Sequence, residues 1–204
     1  MRIAVLGASG ATGTLLVTAA LEQGLAVTAI ARQPGRVPAR PGLTTVAADV
    51  HDPESIARAV AGCDVLVSGL GVVKGDPPGV LTLGAKAVAA AGVPRVVWLG
   101  AVGTGPSAEV AGPLTRTLLS VFLRAEVPDK VAADATIIAA GGTVFHAAML
   151  TDGPVALGRR TLTLDRTPRR FFPGRVSRAT VAAAMVEEAV RGQFPGQTVT
   201  ISST

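Results

Sequence analysis

The run Gly7-Ala8-Ser9-Gly10-Ala11-Thr12-Gly13 puts glycine at its first, fourth and seventh positions. Such a turn lets the backbone come close to a pyrophosphate, whose charge then rests on unpaired amides at the start of the following helix. Ala31-Arg32-Gln33, with Arg36 close behind, follows the second predicted strand, and no carboxylate lies between Glu22 and Asp49. At that place an acid accepts from a ribose 2′-hydroxyl, whereas arginine favours a 2′-phosphate, so NADP(H) is expected over NAD(H). Asp49, after the third strand, could accept from an adenine amine or cap the following turn. Ser68-Gly69-Leu70-Gly71 follows the fourth strand, at the carboxyl edge where open α/β sheets bind ligands.

Proton chemistry is less well supplied. The chain has no tyrosine, which excludes a phenolic donor. Lys130, Asp134, His146 and Thr104 remain as polar candidates, with Lys130 and His146 as the catalytic ones. Lys130 and Asp134 are four apart and are expected to pair on a helix surface. His146 ends a buried strand, where a cofactor contact and a satisfied core histidine are equally open readings. His51 is expected in an exposed turn. Two separated histidines and one cysteine give no metal-ligand spacing, so no metal is expected. Cys63 and Trp98 are expected to pack in the interior.

These residues need a scaffold that brings strand ends together. The run 3–6 is short, apolar and ended by glycine, as in a strand buried on both faces. Residues 12–23 carry apolar side chains at helical spacing before Gly24. The alternation repeats with strands at 26–31, 43–48, 64–67 and 95–99. Helices are expected from Pro53 to Gly62, with Asp52 as cap, and over 79–91. Beyond Gly100 the pattern loosens: a helix over 114–123, an interruption at Pro128, a helix over 130–139 and a strand at 143–146. A short strand at 160–164, a helix over 177–190 and a strand at 198–202 close the chain. The predicted fold is α/β, a doubly wound, mainly parallel Rossmann sheet with helices on both faces and a small irregular C-terminal insertion. One domain over 1–204 is expected, with 147–176 as a lid over an acceptor site.

The composition sets further bounds. A net charge of +5 on a chain only 16% charged and 3% aromatic offers no base-stacking platform, so nucleic acid is not an expected partner. The apolar run from Ile3 stops at Gly7, far short of a membrane span or signal peptide, and the one cysteine suits a reducing compartment. A cytoplasmic monomer is expected.

The motifs together resemble the NAD(P)H-binding atypical short-chain dehydrogenase/reductase proteins of the NmrA-like kind, including the flavin reductase/biliverdin reductase B branch. The resemblance rests on Gly7 to Gly13, Ala31-Arg32, Ala48-Asp49-Val50, Leu150-Thr151-Asp152-Gly153-Pro154, the run Val176-Ser177-Arg178-Ala179-Thr180-Val181-Ala182, and Gly196-Gln197-Thr198-Val199. It implies that Gly7, Gly10 and Gly13 face the pyrophosphate, with Ala11 in the same turn and Ser9 and Thr12 adding hydrogen bonds. It also implies that Arg32 meets the 2′-phosphate and that Asp49 and Val50 flank adenine. Gly69, Leu70 and Gly71 would pass under the cofactor beside Ser68 and Ala101, while His146, Ala148 and Met149 would border the nicotinamide amide. Relatives of the usual type carry Ser or Thr after the fifth strand and a Tyr-x-x-x-Lys pair. This chain has Leu99-Gly100-Ala101 there and no tyrosine.

The function expected on these grounds is an NADPH-dependent reductase passing hydride to a small conjugated acceptor such as a flavin or quinone. The alternative is a non-catalytic NADP(H)-binding sensor. Seven arginines between 159 and 178 accompany one acid within that stretch, Asp165, and should be splayed in solvent or compensated by an anion. Arg169 and Arg170, with Phe171 and Phe172 as an apolar wall, are the expected contacts of an anionic acceptor.

Overall fold

The computed structural model describes residues 1–73, 75–112, 126–169 and 174–202. Its first half alternates strand and helix: β1 (Arg2–Leu6), α1 (Ala11–Glu22), β2 (Ala26–Ala31), β3 (Leu43–Ala47), α2 (Pro53–Val60), β4 (Val65–Ser68), α3 (Val80–Ala90) and β5 (Val96–Ala101). After that come α4 (Val127–Ala139), β6 (Thr143–Ala147), β7 (Met149–Thr151), β8 (Arg160–Thr163), β9 (Arg175–Ser177), α5 (Arg178–Arg191) and β10 (Thr198–Ser202). The expected helix over 114–123 lies outside the described residues.

Eight strands form one sheet in the order β3-β2-β1-β4-β5-β6-β10-β8. All its pairings are parallel except β8 against β10. The chain leaves β1 toward β2 and β3, then returns to place β4 on the other side of β1. The carboxyl ends of β1 and β4 therefore flank a topological switch point, where such sheets open a crevice.

Both faces are covered, which is why the central strands are apolar at successive positions. Ile3 and Val5 pack with Leu16 of α1 and Met185 of α5 on one face. Ala4 and Leu6 pack with Ile56 of α2, Val88 of α3 and Ile137 of α4 on the other. Trp98 and Cys63 are buried on that second side. Strand β3, at the sheet edge, is half exposed. Asp52 caps α2 by accepting from the Ser55 N–H at 3.1 Å, with Pro53 in the first turn. Ser177 caps α5 through the Thr180 N–H at 3.1 Å.

One expectation is corrected. Pro128 does not interrupt a helix but sits in the first turn of α4, where a missing N–H removes no intrahelical bond. The described residues of the 147–176 segment include strands of both sheets. β8 pairs antiparallel with β10, Thr200 opposite Leu162. β7 and β9 form a separate parallel ribbon, Leu150 opposite Val176. Among the described residues no helix is long and apolar enough to cross a membrane.

Candidate functional site

Strand β1 delivers its chain into the glycine turn at Gly7, whose φ of +74° an L side chain rarely adopts. Gly10 donates its N–H to the Gly7 carbonyl at 3.0 Å and starts α1 without a side-chain cap or an acid in the first turn. The first amides of α1 thus lack an internal side-chain acceptor and suit an anion. Gly13 lies directly against the turn: a Cβ on it would stand 2.0 Å from the Gly7 carbonyl oxygen. From the β4 side, Gly69 donates to the Leu6 carbonyl at 3.0 Å, and its own Cβ would meet the Gly13 N at 3.2 Å. Three glycines therefore let two loops and a helix start converge with backbone exposed. A pyrophosphate fits that cradle, and side chains on Gly13 or Gly69 would fill or displace it.

A cleft of about 400 Å³ opens over this cradle. Gly7, Ser9, Gly10, Ala11 and Thr12 form its floor at the β1 end. Gly69, Leu70 and Gly71 form the adjoining wall, and Ala48, Val50 and Ile30 make an apolar recess beyond. Arg32 stands at the rim of that recess. Gly13 lies buried beneath the floor, and Ser68, fully buried, shapes the wall by accepting the Leu70 N–H at 3.2 Å.

Other expected residues lie elsewhere. Arg36 is exposed on the short turn Pro34–Arg36. Asp49 closes its own turn, accepting from the His51 N–H at 2.9 Å and approaching the His51 ring at 2.8 Å. The backbone N–H of His51, then its ring, hold the Asp49 carboxyl below the ordinary range. Of its two roles, the structure displays the turn cap. Ala101 ends β5, its carbonyl accepting from Thr104 Oγ1 at 2.8 Å. Ala148 packs against the α1 and α5 side of the core, and Met149 is exposed on β7.

His146 is a core residue. Its Nδ1 lies 2.6 Å from Ser107 Oγ and its Nε2 3.0 Å from Asp134 Oδ2, all three side chains being buried. Serine, histidine and aspartate in a row suggest a nucleophile relay, but this set is sealed from the cleft. Ser107 Oγ is further engaged by the Gly103 N–H at 2.8 Å and the Thr104 carbonyl at 3.1 Å. The expected Lys130–Asp134 pair is corrected by the same contacts: Lys130 Nζ instead lies 3.7 Å from Glu126 Oε2. Each four-residue step on a helix advances about 40° around its axis, so 126, 130 and 134 fan out and Asp134 rotates inward. Gly100 makes room for the pair, because a Cβ there would stand 2.7 Å from His146 Cδ2 and 3.0 Å from the Asp134 carboxylate.

Sequence reasoning missed several contributors, three of them distant in sequence from the glycine turn. Leu150 and Arg178 line the cleft, Arg178 holding the fully exposed Asp152 at 2.8 Å. Asp76 enters from the loop after β4 and meets Arg32 at 2.8 Å. Their sequence separation hid them, although Arg178 belongs to the arginine-rich stretch already singled out. That stretch is also better compensated than expected: Arg159 pairs with Glu187 at 3.3 Å and Arg178 with Asp152, acids outside or before it. Arg169 is exposed, while Arg170, Phe171 and Phe172 lie outside the described residues.

A family model described as NAD(P)H-binding matches residues 7–190. The chain belongs to the NAD(P)H-binding family. Among solved structures, a short-chain dehydrogenase/reductase from Veillonella parvula in complex with NADP has TM-score 0.80 and 16% identity, over 99% of this chain and 94% of that one. A proposed NADH-flavin reductase from Streptococcus pneumoniae has TM-score 0.80 and 19% identity, over 100% of both chains. At these identities the likeness shows the fold. A curated 3-beta-hydroxysteroid dehydrogenase from Mycolicibacterium neoaurum is 46% identical over 65 residues, which are 32% of this family member but span only 18% of that relative.

Proposed function

We propose that this NAD(P)H-binding protein is a reductase using NADP(H) in preference to NAD(H), with a small, planar, conjugated acceptor of the flavin or quinone class. The observation that carries the reading is the glycine cradle at the β1–β4 switch point, with Arg32 lining the same cleft. The Veillonella parvula protein in complex with NADP supports the cofactor class, and the proposed Streptococcus pneumoniae NADH-flavin reductase the acceptor class, both as proteins of the same fold.

When bound, NAD(P)H would supply the hydride equivalent. The chain's own part is binding and positioning. The α1 amides and the Gly7–Thr12 backbone hold the pyrophosphate, Val50 and Ala48 wall the adenine, and Arg32 faces the ribose. Arg178 gives the cleft a second cationic side chain for the phosphates or an anionic acceptor. Lys130 and His146, the catalytic candidates by sequence, hold partners away from the cleft. A flavin suits that arrangement, because its ring nitrogen accepts hydride while solvent supplies the proton, leaving orientation as the protein's main contribution.

The same shortage of proton donors favours a second reading, a non-catalytic NADP(H) sensor. Mixing purified protein with NADPH and flavin mononucleotide, flavin adenine dinucleotide or a quinone separates the two. Acceptor-dependent loss of the nicotinamide absorbance is expected. Tight NADPH binding with no consumption across the panel would select the sensor.

A further inference from the structure

Arg32 leaves the end of β2 while Asp76 comes from the loop after β4, yet Arg32 Nη1 lies 2.8 Å from Asp76 Oδ1. The second carboxylate oxygen accepts the Val73 N–H at 2.9 Å. The carboxylate is therefore built into its loop, and its side chain is only 6% exposed against 53% for Arg32. The Val73 amide first, and Arg32 after it, hold the Asp76 carboxyl below the ordinary range against the opposing effect of burial, so it is charged at neutral pH. Both residues line the cleft over the glycine cradle.

We propose that Asp76 is a specificity-determining residue that limits the preference of this cleft for 2′-phosphorylated dinucleotides. The inference rests on reading the cleft as the dinucleotide site. A guanidinium has five N–H donors, and the contact to Asp76 leaves the rest of the Arg32 fork for a phosphate. A 2′-phosphate bound there sits beside a fixed carboxylate, and like charges at that range oppose each other. An unphosphorylated ribose meets the same carboxylate differently, since its 2′-hydroxyl is a donor and Asp76 an acceptor. Arg32 pulls toward NADP(H) and Asp76 toward NAD(H). The fold thus restores, from 44 residues away, the acid that is missing beside Arg32 in the sequence.

The test measures dissociation constants for NADPH and NADH at fixed ionic strength in the full chain and in Asp76→Asn, Asp76→Ser and Arg32→Gln. In Asp76→Asn the side-chain oxygen can still accept from Val73 while the charge is gone, and Asp76→Ser removes the charge by another route. The NADPH-to-NADH affinity ratio should rise about tenfold in both Asp76 variants, chiefly through tighter NADPH, which is the scale of one charge contact. It should fall below the wild-type value in Arg32→Gln. The fragments adenosine 2′,5′-bisphosphate and adenosine 5′-monophosphate should show the same shift, placing the effect at the ribose. A ratio unchanged within about twofold in both Asp76 variants, with both dinucleotides still bound, overturns the role of Asp76 and leaves the dinucleotide reading standing. Failure of the wild-type protein to bind either dinucleotide overturns both.

Discussion

Gly13 shows how one missing side chain can decide a site. Its absent Cβ would stand 2.0 Å from the Gly7 carbonyl oxygen, with the Gly7 carbonyl carbon at 2.7 Å, and backbone cannot move aside as a flexible side chain can. Gly10, in the same turn, faces a milder contact of 3.2 Å and already has an ordinary φ of −79°. Gly13→Ala should therefore force α1 away from the turn, destabilising the protein by about 1–3 kcal/mol as other overpacked sites do. It should also weaken NAD(P)H binding more than Gly10→Ala does. Denaturant unfolding and a cofactor titration on both variants check this, and a Gly10→Ala loss equal to or greater than that of Gly13→Ala would contradict it. The glycine spacing was legible in the sequence because it is local. What the glycines avoid was not, since Gly69 reaches Gly13 only after β4 has paired with β1.

The buried Asp134–His146–Ser107 row works between elements, joining α4, β6 and the turn after β5. A sequence window shows none of it, because the partners of His146 lie 12 and 39 residues away. Two readings of His146 were open, and the contacts at both ring nitrogens favour the core one. Gly100 acquires a structural reason: the space beside it is taken by the His146–Asp134 pair. Removing the carboxylate leaves the buried His146 ring nitrogen without its hydrogen-bond partner, a loss of about 1–3 kcal/mol. Asp134→Ala should destabilise by roughly that amount, while Asp134→Asn, which can still accept from Nε2, should cost distinctly less. Cofactor affinity should change little in Asp134→Asn, because the row is sealed from the cleft. Equal destabilisation by the two substitutions, read from denaturant midpoints, would remove the hydrogen bond from the account.

Across the whole molecule, a mainly parallel sheet covered by helices could be anticipated from the repeated βα pattern, because successive parallel strands need crossover connections between them. The far edge could not. β8 is a short Arg-Thr-Leu-Thr strand whose antiparallel place beside β10 follows from a pairing across 36 to 42 residues, from Val199 with Thr163 to Ser202 with Arg160. That pairing changes what the 147–176 segment can do. Its entry and exit are joined by the β7–β9 ribbon and its middle is anchored through β8; in sequence this leaves the stretch between Thr167 and Gly174, of which 170–173 lie outside the described residues. Arg169 and Arg170 lie in that stretch, whereas Arg159 and Arg178 already hold carboxylates. The ribbon also carries Leu150, which lines the cleft, so the segment's exit is tied to a residue of the site. On the reductase reading, we propose that at least one of Arg169 and Arg170 would hold the anionic group of the acceptor, since a guanidinium fork binds oxyanions and its plane stacks on rings. Changing both to glutamine should raise the Michaelis constant for flavin mononucleotide about tenfold, about 1.4 kcal/mol if it reports binding. A neutral quinone should be affected far less, and the NADPH dissociation constant should hold. Identical kinetics in the double variant and its parent, with charged and neutral acceptors alike, would leave these arginines as solvated surface charge on an otherwise apolar chain.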